Sequence, residues 1–406
     1  MQHLKSKLTF KGDSDFSVTY KLNKVNGIFN WYPYTEGFSK PFVDKMLYHF
    51  GAKKGDLILD PFSGCGTTAL SCTLKNINSL SIEVNPFMDF VGRAKNNSLK
   101  LDIHNLKDSF QKILDAIKKN QEVTMPSFLK DKTFFHIDNL KQALIIKQAI
   151  INNIYNKEFQ EFYLLHLASI LVKISDMIRA VDLRYRTNKP GRLDVFQIYK
   201  EKIEKAFENL SEYSYEKDSN HTFLNDDICN ISEKLKKYFG KIDFFITSPP
   251  YLNGTNYDRN TKLEMSFLDM IKNDEDLRNL RTKMVTAGIN STHTKNVYNT
   301  DISFLNDLID DVKRNAYDRR IPLMVKGYFS DMDLAIQNIT KLMKKDAKGV
   351  IVIGDSQFGG VHIETDLILA EICKIHNLNV DKIDVVRARR SKNGMQLRES
   401  LIFVRK

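Results

Sequence analysis

The sequence predicts an α/β protein in which a mostly parallel sheet is interrupted by a helical insertion. Short apolar runs of strand length alternate with helix-forming segments near both ends of the chain, and a glycine-containing turn follows the first of these runs. A long central stretch has helical apolar spacing instead. The 406 residues, 42% of them hydrophobic, suffice for one large domain with an insertion or for two domains.

The first strands are predicted close to the amino terminus. Residues 1–30 are polar and are expected to form an arm, and residues 38–50 have the apolar spacing of a helix. Residues 55–60 have the pattern of a short buried strand, 67–74 that of the helix after it, and 79–83 that of a second strand ending in an acid. This βαβ order favours a parallel sheet.

The central stretch, residues 97–220, is predicted to form a helical insertion. It is charged, rich in helix formers and carries apolar side chains at helical spacing, for example Phe162, Leu165 and Ile170. No convincing strand signal occurs there. The flanking parts, 31–96 and 221–406, are expected to form the domain that carries the sheet.

The second half of the sheet is predicted after residue 220. A strand end with acids is expected near 222–227, followed by four further strands, at residues 242–247, 349–354, 383–386 and 401–404. The last two are expected to close the sheet as a hairpin. With the two strands before the insertion, this predicts a Rossmann-like, doubly wound, mostly parallel seven-stranded sheet.

The overall charge favours a polyanionic partner. The formal net charge is +11 and the isoelectric point is about 9.2. The alternative is that a lysine-rich composition reflects genome bias alone. The chain begins without a signal sequence and has no apolar run of membrane-spanning length, so a reducing, cytoplasmic setting is expected. No CxxC pair occurs, so neither a metal site nor a disulfide framework is predicted from the cysteines Cys65, Cys72, Cys229 and Cys373.

The segment Asp60-Pro61-Phe62-Ser63-Gly64-Cys65-Gly66-Thr67-Thr68 is typical of a nucleoside-binding turn at the carboxyl end of a strand. Gly64 and Gly66 permit a tight backbone and close approach of a ligand. The segment is not GxGxxG, and no lysine follows as in a P-loop. A pyrophosphate is therefore not the indicated ligand.

Acids around this turn suit a cofactor that joins adenosine to an amino acid. Asp60 can bind a cationic amino group, and Glu83 stands where an acid bonds ribose hydroxyls. Asp226 or Asp227 can bond the adenine amine. This set indicates S-adenosylmethionine. The alternative is that the glycines form a plain structural turn and the acids are solvated strand ends.

The segment Thr247-Ser248-Pro249-Pro250-Tyr251 follows a buried strand and is the more specific signal. Consecutive prolines fix the backbone and remove two N–H donors, so that neighbouring carbonyls act as acceptors. Ser248 Oγ and the Pro249 carbonyl can accept the two N–H bonds of a base amine and localise its lone pair for attack on a methyl group. Tyr251 is expected to stack on the flipped base. A Pro-Pro turn that only caps a strand is the alternative.

These segments resemble those of the DNA amino methyltransferases, which modify N4 of cytosine or N6 of adenine. The Asp60 segment is similar to the cofactor motif of that family, and residues 247–251 match its catalytic motif residue for residue. Residues 31–39, Trp-Tyr-Pro-Tyr-Thr-Glu-Gly-Phe-Ser, resemble the segment that closes over the methionine end of the cofactor. The resemblance extends over about 30–95 and 223–406, including the 257–262 segment.

The resemblance implies a set of site residues. Ser248, Pro249, Pro250 and Tyr251 are expected to be catalytic, and no metal is implied. Contacts with S-adenosylmethionine are expected from Trp31, Phe38, Ser39, Asp60, Pro61, Phe62, Gly64, Gly66, Thr67, Thr68, Glu83, Asp226, Asp227 and Thr247.

The serine form of the catalytic motif is similar to that found mostly in N4-cytosine enzymes, whereas Asp-Pro-Pro-Tyr is the usual adenine form. We therefore expect site-specific methylation of cytosine N4 in double-stranded DNA, in a restriction-modification or defence system with a cognate endonuclease or other defence partner. N6-adenine methylation, an RNA base N-methyltransferase and a binding protein with a decayed site remain alternatives.

Basic residues in three parts of the chain are expected to contact DNA phosphates. They lie in the insertion, which is a candidate target-recognition subdomain, in the loop-rich stretch 252–330 and near the carboxyl-terminal hairpin. For each of them the alternative is an ordinary surface charge. The residues expected to contact DNA are Asn253, Arg259, Lys262, Arg184, Arg186, Arg387 and Arg389.

Overall fold

The computed structural model describes residues 2–11, 18–119, 122–130, 133–179, 183–213, 218–255, 257–292, 302–391 and 393–406. These residues form twelve strands: β1 (Leu8–Phe10), β2 (Leu57–Asp60), β3 (Asn78–Ile82), β4 (Met177–Arg179), β5 (Leu183–Tyr185), β6 (His221–Leu224), β7 (Ile242–Thr247), β8 (Met343–Gly354), β9 (Ser356–Phe358), β10 (Val361–Ile363), β11 (Asn379–Arg390) and β12 (Gln396–Arg405).

Eight strands form one sheet in the order β1-β11-β12-β8-β7-β2-β3-β6. Only β12 runs antiparallel to its neighbours in this described sheet, so the predicted mostly parallel sheet and its closing hairpin are confirmed. The predicted number of seven strands is one too low. The additional strand, β1, pairs in parallel with β11 and lies within the predicted arm; three residues are too short to show an alternating pattern.

The described residues also form fifteen α-helices: α1 (Lys40–Phe50), α2 (Thr67–Leu74), α3 (Pro86–Ser98), α4 (Ile103–Ile117), α5 (Ser127–Lys130), α6 (Ile137–Asn153), α7 (Lys157–Ile174), α8 (Val195–Ser211), α9 (Glu233–Lys236), α10 (Tyr257–Asn260), α11 (Lys262–Phe267), α12 (Asp274–Lys283), α13 (Asn306–Asn315), α14 (Ile321–Leu342) and α15 (Thr365–Ile375). Short 3₁₀ helices span Gln2–Lys7, Tyr20–Val25, Gly27–Asn30, Ile289–Ser291 and Ser303–Leu305. In the part of the chain described, no helix is both long and apolar enough to cross a membrane.

Side chains of the sheet alternate between two faces, and helices cover both. Ile58 of β2 packs in one apolar cluster with Phe42 and Met46 of α1. Its neighbour Leu59 belongs to the cluster on the other face, together with Phe329 of α14. Because successive strand residues point to opposite faces, both layers are built from the same short strands. This is the doubly wound arrangement that the sequence predicts.

The helices α4 to α8 lie between β3 and β6 in the chain, and their apolar side chains, including the fully buried Phe162 and Tyr163, share one hydrophobic core with residues of α3. This core also takes in Trp31 and Phe267 from outside the insertion. The strands β4 and β5 form a small antiparallel pair here, although no strand was expected. Each has only three residues, which is too few for an alternation to be recognised.

Candidate active site

The glycine turn and the Ser-Pro-Pro segment lie side by side at one edge of the sheet. β2 ends at Asp60 and β7 at Thr247, and the two strands are parallel neighbours. Thr247 Oγ1 donates a hydrogen bond to Asp60 Oδ1 over 3.2 Å. Carboxyl ends of parallel strands share an edge, and open α/β sheets bind ligands there.

A cavity of about 920 Å³, including the part open to solvent, lies between the two segments. Residues from both segments form its walls, so a ligand bound at the glycine turn would face the Ser-Pro-Pro corner. Of the residues expected to act here, the following line the cavity: Phe38, Pro61, Phe62, Gly64, Thr67, Glu83, Asp226, Asp227, Ser248, Pro249 and Pro250.

Glu83 follows β3 and lies in the cavity wall. Its carboxylate accepts hydrogen bonds from the backbone N–H groups of Gly64, at 2.8 Å, and Asn85, at 2.9 Å. Burial raises the pKa of Glu83 to about 7, against the opposing effect of these two donors. An ionised carboxylate offers about four lone-pair sites, so Glu83 retains acceptor capacity for ligand hydroxyls.

Two further acids of the cavity wall, Asp226 and Asp227, follow β6 and are held by the adjoining loop. Asp226 accepts a hydrogen bond from the hydroxyl of Ser232, and its other carboxylate oxygen accepts the backbone N–H of Asp227 at 2.9 Å. Asp227 Oδ1 accepts the backbone N–H of Cys229 at 2.9 Å. Both carboxylates therefore have fixed orientations in the cavity wall before any ligand binds.

Asp60 is 1% exposed and is absent from the described residues that line the cavity. Its carboxylate accepts hydrogen bonds from the hydroxyls of Thr68, at 2.6 Å, and Thr247, at 3.2 Å. Burial raises the pKa of Asp60 to about 6, and these two bonds and the backbone N–H of Phe62 oppose the shift. Asp60, Thr68 and Thr247 thus tie the two segments together beneath the cavity, in contrast to the expected contact with a cationic amino group.

Two residues of the 31–39 segment also lie away from the cavity. Trp31 is buried in the core of the insertion, edge-on to Phe162, and its indole N–H donates to Asn209 Oδ1 over 3.2 Å. Ser39 caps α1, where its Oγ accepts the backbone N–H of Phe42 at 3.3 Å. Trp31 and Ser39 therefore make packing and capping contacts here, and their expected cofactor contacts stay predictions.

Gly66 shapes the turn from below the cavity. It precedes α2 with a φ of 77°, in the left-handed region that favours glycine. A Cβ at this position would lie 2.7 Å from the Cα of Gly92 on α3. Gly66 therefore lets α2 and α3 approach closely, whereas Gly64 provides the side of the turn that faces the cavity.

Tyr251 is directed toward β12. Its hydroxyl donates to Glu399 Oε1 over 2.9 Å, and its ring lies against Gly354, where a Cβ would be 3.1 Å from the ring. The backbone N–H of Tyr251 donates to Tyr257 Oη over 3.1 Å. Because the sheet holds both ring and hydroxyl, Tyr251 is not among the described cavity-lining residues, in contrast to the expected stacking on the base.

The sequence does not single out several polar and aromatic residues of the cavity wall. Tyr34 lies across the glycine turn, 3.1 Å from the position of a Cβ on Gly64. The 31–39 and 257–262 segments carry a family resemblance, but that signal does not tell which of their side chains face inward. Lys283, at the end of α12, has no such signal. These additional wall residues are Tyr34, Glu36, Asn85, Tyr257, Thr261 and Lys283.

A second depression, here called the cationic groove, is lined by Arg184, Arg259, Lys262, Arg278 and Arg281. Among its described lining residues Asp274 is the one acid, and Tyr185 adds an aromatic side chain that is 51% exposed. The groove therefore combines a concentration of positive charge with an accessible ring.

The cationic groove and the cavity lie on either side of α10 and α11. Tyr257 and Thr261 line the cavity, whereas Arg259 and Lys262 line the groove. Part of the positive charge of the cationic groove is balanced, because Arg281 Nε donates a hydrogen bond to Asp258 over 2.6 Å. Three of the residues expected to contact DNA, Arg184, Arg259 and Lys262, are brought together here from distant parts of the chain.

The remaining residues expected to contact DNA lie elsewhere. Arg186 donates to the backbone carbonyls of Met177 and Val172, which gives it a structural role, and its expected DNA contact stays a prediction. Asn253 is exposed, and its Oδ1 accepts the backbone N–H of Thr255. Arg387 and Arg389 are exposed near the tip of the β11–β12 hairpin.

The cavity fits a nucleoside cofactor that carries an amino-acid chain. Gly64, with a φ of 49°, brings backbone rather than a side chain to the ligand side. Acids at the ends of β3 and β6 offer acceptors for hydroxyl and amine groups, and the Ser-Pro-Pro corner closes the far wall. A doubly wound sheet with this cavity at its carboxyl edge matches the arrangement expected of S-adenosylmethionine-dependent methyltransferases.

Comparisons with known proteins narrow this class. A DNA methylase family model, N6_N4_Mtase, matches residues 15–89. The Type II methyltransferase M.BsoBI of Geobacillus stearothermophilus is 24% identical, over 94% of this chain and 84% of that protein. M.AvaI of Nostoc sp. is 23% identical, over 94% of this chain and 85% of that protein. M.MvaI of Kocuria varians is 21% identical, over 79% of this chain and 75% of that protein. These matches support the DNA amino methyltransferase family and imply S-adenosylmethionine as the cofactor.

Proposed function

We propose that this DNA methyltransferase modifies the exocyclic N4 of a cytosine that is flipped out of duplex DNA at a specific sequence. The observation that carries the proposal is that Ser248 and Pro249 line the same cavity as Glu83 and Asp226. A base amine placed beside Ser248 would meet the methyl donor without leaving this cavity. Extrusion of the base is needed because the amine is inaccessible within a stacked duplex.

The chain's own groups prepare the amine for attack. Bound S-adenosylmethionine supplies a methyl group on a positively charged sulfur. Ser248 Oγ and the Pro249 carbonyl accept the two N–H bonds of the amine, which draws the nitrogen lone pair out of conjugation with the ring. The prolines fix the position of these acceptors before the base arrives. Preorganised acceptors stabilise the positive charge that develops on the nitrogen.

The choice of cytosine rests on Ser248. A serine hydroxyl is a smaller, neutral acceptor than the aspartate of the usual adenine form, and the cytosine ring is smaller than adenine. The rival substrate is adenine N6, whose amine carries the same two N–H donors. Both bases place a ring nitrogen acceptor beside the amine, so they differ for this site mainly in size.

The cationic groove is proposed to hold DNA phosphates beside the cavity. Arg184, Arg259, Lys262 and Arg278 supply positive charge there, and the exposed ring of Tyr185 offers a surface for a base or sugar. Arg387 and Arg389 on the β11–β12 hairpin would extend the contact on the other side of the Ser-Pro-Pro corner. The net charge of +11 supports such a polyanionic partner.

A biological setting follows from the relatives. They are named Type II methyltransferases, and we propose that this protein likewise protects host DNA from a cognate restriction endonuclease. Loss of the methyltransferase gene should then be tolerated only when the gene of that endonuclease is absent.

Mass spectrometry of nucleosides tests the proposed reaction. Duplex DNA is incubated with the protein and methyl-labelled S-adenosylmethionine, then digested to nucleosides. Labelled N4-methylcytosine is expected, from DNA but not from RNA. Labelled N6-methyladenine would transfer the proposal to the rival base, and the absence of any labelled DNA nucleoside would refute it.

A further inference from the structure

Tyr257 is a residue of the cavity wall to which the proposed reaction assigns no role. It begins α10 and lines the cavity together with Ser248, Pro249 and Pro250. Its hydroxyl oxygen accepts the backbone N–H of Tyr251 over 3.1 Å. Because Tyr251 directly follows Pro250 in the chain, this bond places the hydroxyl of Tyr257 beside the Ser-Pro-Pro corner, where the base amine is proposed to bind.

The proton of the Tyr257 hydroxyl is available to a ligand. The bond with Tyr251 uses a lone pair of the oxygen, and a phenol has one further O–H group to donate. Within the part of the chain that the structure describes, this O–H donates to no acceptor. Burial raises the pKa of Tyr257 well above its ordinary value, so the hydroxyl keeps its proton at neutral pH. The cavity therefore contains a donor beside the acceptors of the corner.

The helix α10 holds this donor in place, because its neighbours anchor it from two directions. Asp258, which follows Tyr257, accepts a hydrogen bond from Arg281 Nε over 2.6 Å. The backbone carbonyl of Asn260 accepts a hydrogen bond from Arg179 Nε over 3.1 Å. With the Tyr251 bond, these contacts fix the position of the Tyr257 hydroxyl before a base enters, as preorganised recognition requires.

We propose that Tyr257 is a specificity-determining residue whose hydroxyl donates a hydrogen bond to the ring nitrogen next to the amine of the extruded base, which is N3 in cytosine. The inference rests on the proposed function. With Ser248 and the Pro249 carbonyl as acceptors of the amine, the site reads two adjoining groups of the Watson–Crick edge. Guanine presents an N–H beside its amine on this edge, and thymine has no amine, so neither base fits this arrangement.

The bond acts on the binding of the base and not on methyl transfer. A donor at the ring nitrogen stabilises the conjugated form of the base, in which the lone pair of the amine is shared with the ring. This conjugation is lost as the amine attacks the methyl group, so the bond is weaker in the transition state than in the bound base. Its removal should lower the affinity for the extruded base without slowing the chemical step.

A cycle of two enzymes and two target bases tests the bond. The enzymes are wild type and Tyr257→Phe, and the bases are cytosine and 3-deazacytosine, in which a C–H group replaces N3. Each base stands opposite an abasic site at the target position of a duplex that the wild type methylates, so neither loses a base pair on extrusion. Affinity is measured with S-adenosylhomocysteine present, because binding does not depend on the nucleophilicity of the amine.

We expect the wild type to bind the cytosine duplex roughly three- to tenfold more tightly than the 3-deazacytosine duplex, which is the usual effect of one neutral hydrogen bond. Tyr257→Phe should bind the two duplexes equally. The matched control is Tyr48→Phe on α1, where the tyrosine is 89% exposed, and this variant should keep the wild-type preference.

Three results would overturn the inference. The first is a Tyr257→Phe protein that binds both duplexes more weakly but keeps the preference for cytosine, because Tyr257 would then only support the corner. The second is a wild type with equal affinity for the two duplexes, which decides the matter even if Tyr257→Phe does not fold. The third is a Tyr257→Phe protein that loses affinity for S-adenosylhomocysteine alone in titration calorimetry, since the hydroxyl would then contact the cofactor.

Failure of this inference and failure of the proposed function are distinguishable. Labelled N4-methylcytosine from a wild type that shows no preference between the two bases refutes the hydrogen bond alone. A wild type that places no labelled methyl group in DNA refutes both. If the labelled product is N6-methyladenine, adenine and 1-deazaadenine replace the two cytosine bases, and the same results decide.

Discussion

The cavity and the cationic groove lie on either side of α10 and α11 but are built in different ways. The cavity takes its central residues from two short segments, 60–68 and 247–251, which end neighbouring parallel strands. The groove is assembled from Phe134, the β4–β5 pair and residues 259–281. The chemistry is therefore encoded in contiguous motifs, whereas the surface proposed to hold DNA exists only after the insertion has packed against α10 to α12.

This difference has an energetic counterpart. A reacting group must be met by a few atoms at fixed positions, so single residues in the cavity should be decisive. Phosphate binding adds many exposed charges, each of modest effect. We therefore expect steep losses from single changes in the cavity and graded losses in the groove.

The largest effect is expected for Ser248→Ala. Removal of one preorganised polar partner of a transition state commonly costs about 10²–10³-fold in rate, and we expect a loss of that size in methyl transfer. Cofactor affinity, measured by titration calorimetry, should remain unchanged because Ser248 is proposed to contact the base and not the cofactor. Ser211→Ala on α8 is the control for serine removal. Methyl transfer by Ser248→Ala at the wild-type rate would contradict the expectation that single residues of the cavity are decisive.

A second test concerns the backbone shape of the glycine turn. Gly66 and Gly51 both have left-handed φ values, 77° and 70°, but a Cβ meets the Gly92 backbone at the first and nothing within 4 Å at the second. Gly51→Ala should lower the free energy of unfolding by about 1–2 kcal/mol, because only the left-handed backbone strain is added. Gly66→Ala should lower the free energy of unfolding by a further 1–3 kcal/mol or so, because the added methyl group overpacks the contact with Gly92. Chemical denaturation measures both; equal losses would mean that the α2–α3 approach tolerates a methyl group.

Smaller, graded effects are expected in the groove. Arg184→Ala and Arg278→Ala should each weaken DNA binding by roughly two- to tenfold and lower the slope of log affinity against log salt by about 1. Their effects should add. Arg192→Ala, at a side chain that is 77% exposed and outside the groove, is the control. A salt slope that is the same in all variants would remove the groove from the DNA-binding surface.

The smallest effect is a pH dependence that arises from Glu83. Its pKa of about 7 means that the carboxylate becomes ionised, and a better acceptor for ribose hydroxyls, as pH rises through that value. Cofactor affinity should increase by up to roughly tenfold between pH 6 and 8, since one pH unit corresponds to about a factor of ten. Glu83→Gln should abolish this increase. Identical profiles for the two proteins would separate Glu83 from the cofactor.

In the protein without cofactor, the raised pKa of Glu83 has the opposite effect on folding stability, which falls as pH rises. Below the pKa of the unfolded chain, Glu83 is protonated in both states. As pH rises toward about 7, the unfolded chain releases a proton that the folded protein keeps, so folding stability falls. Glu83→Gln should therefore gain melting temperature relative to wild type over this range.

The sequence is informative wherever a strand has several apolar residues and a motif follows directly. β2, β7 and β8 and the juxtaposition of their ends belong to this group. It is uninformative for three-residue strands such as β1, β4 and β5, where no alternation can be recognised. The seven-stranded expectation missed β1 for this reason.

At the candidate site, sequence motifs predict which segments lie near the cavity more reliably than which of their side chains face it. Trp31 and Tyr34 lie three residues apart in one resembling segment, yet the first packs in the insertion and the second lines the cavity. Asp60 stands within the glycine motif but faces two threonines beneath the cavity. Which side chain faces a ligand depends on local backbone turns and on distant packing partners, neither of which a single sequence reveals.

The central claim is that one cavity holds the methyl donor against the Ser-Pro-Pro corner. A crystal structure with S-adenosylhomocysteine tests it most directly. We expect the ribose hydroxyls within hydrogen-bonding distance of Glu83 and the sulfur facing Ser248 and Pro249. A ligand bound outside this cavity, or one whose sulfur points away from Ser248, would contradict the assignment.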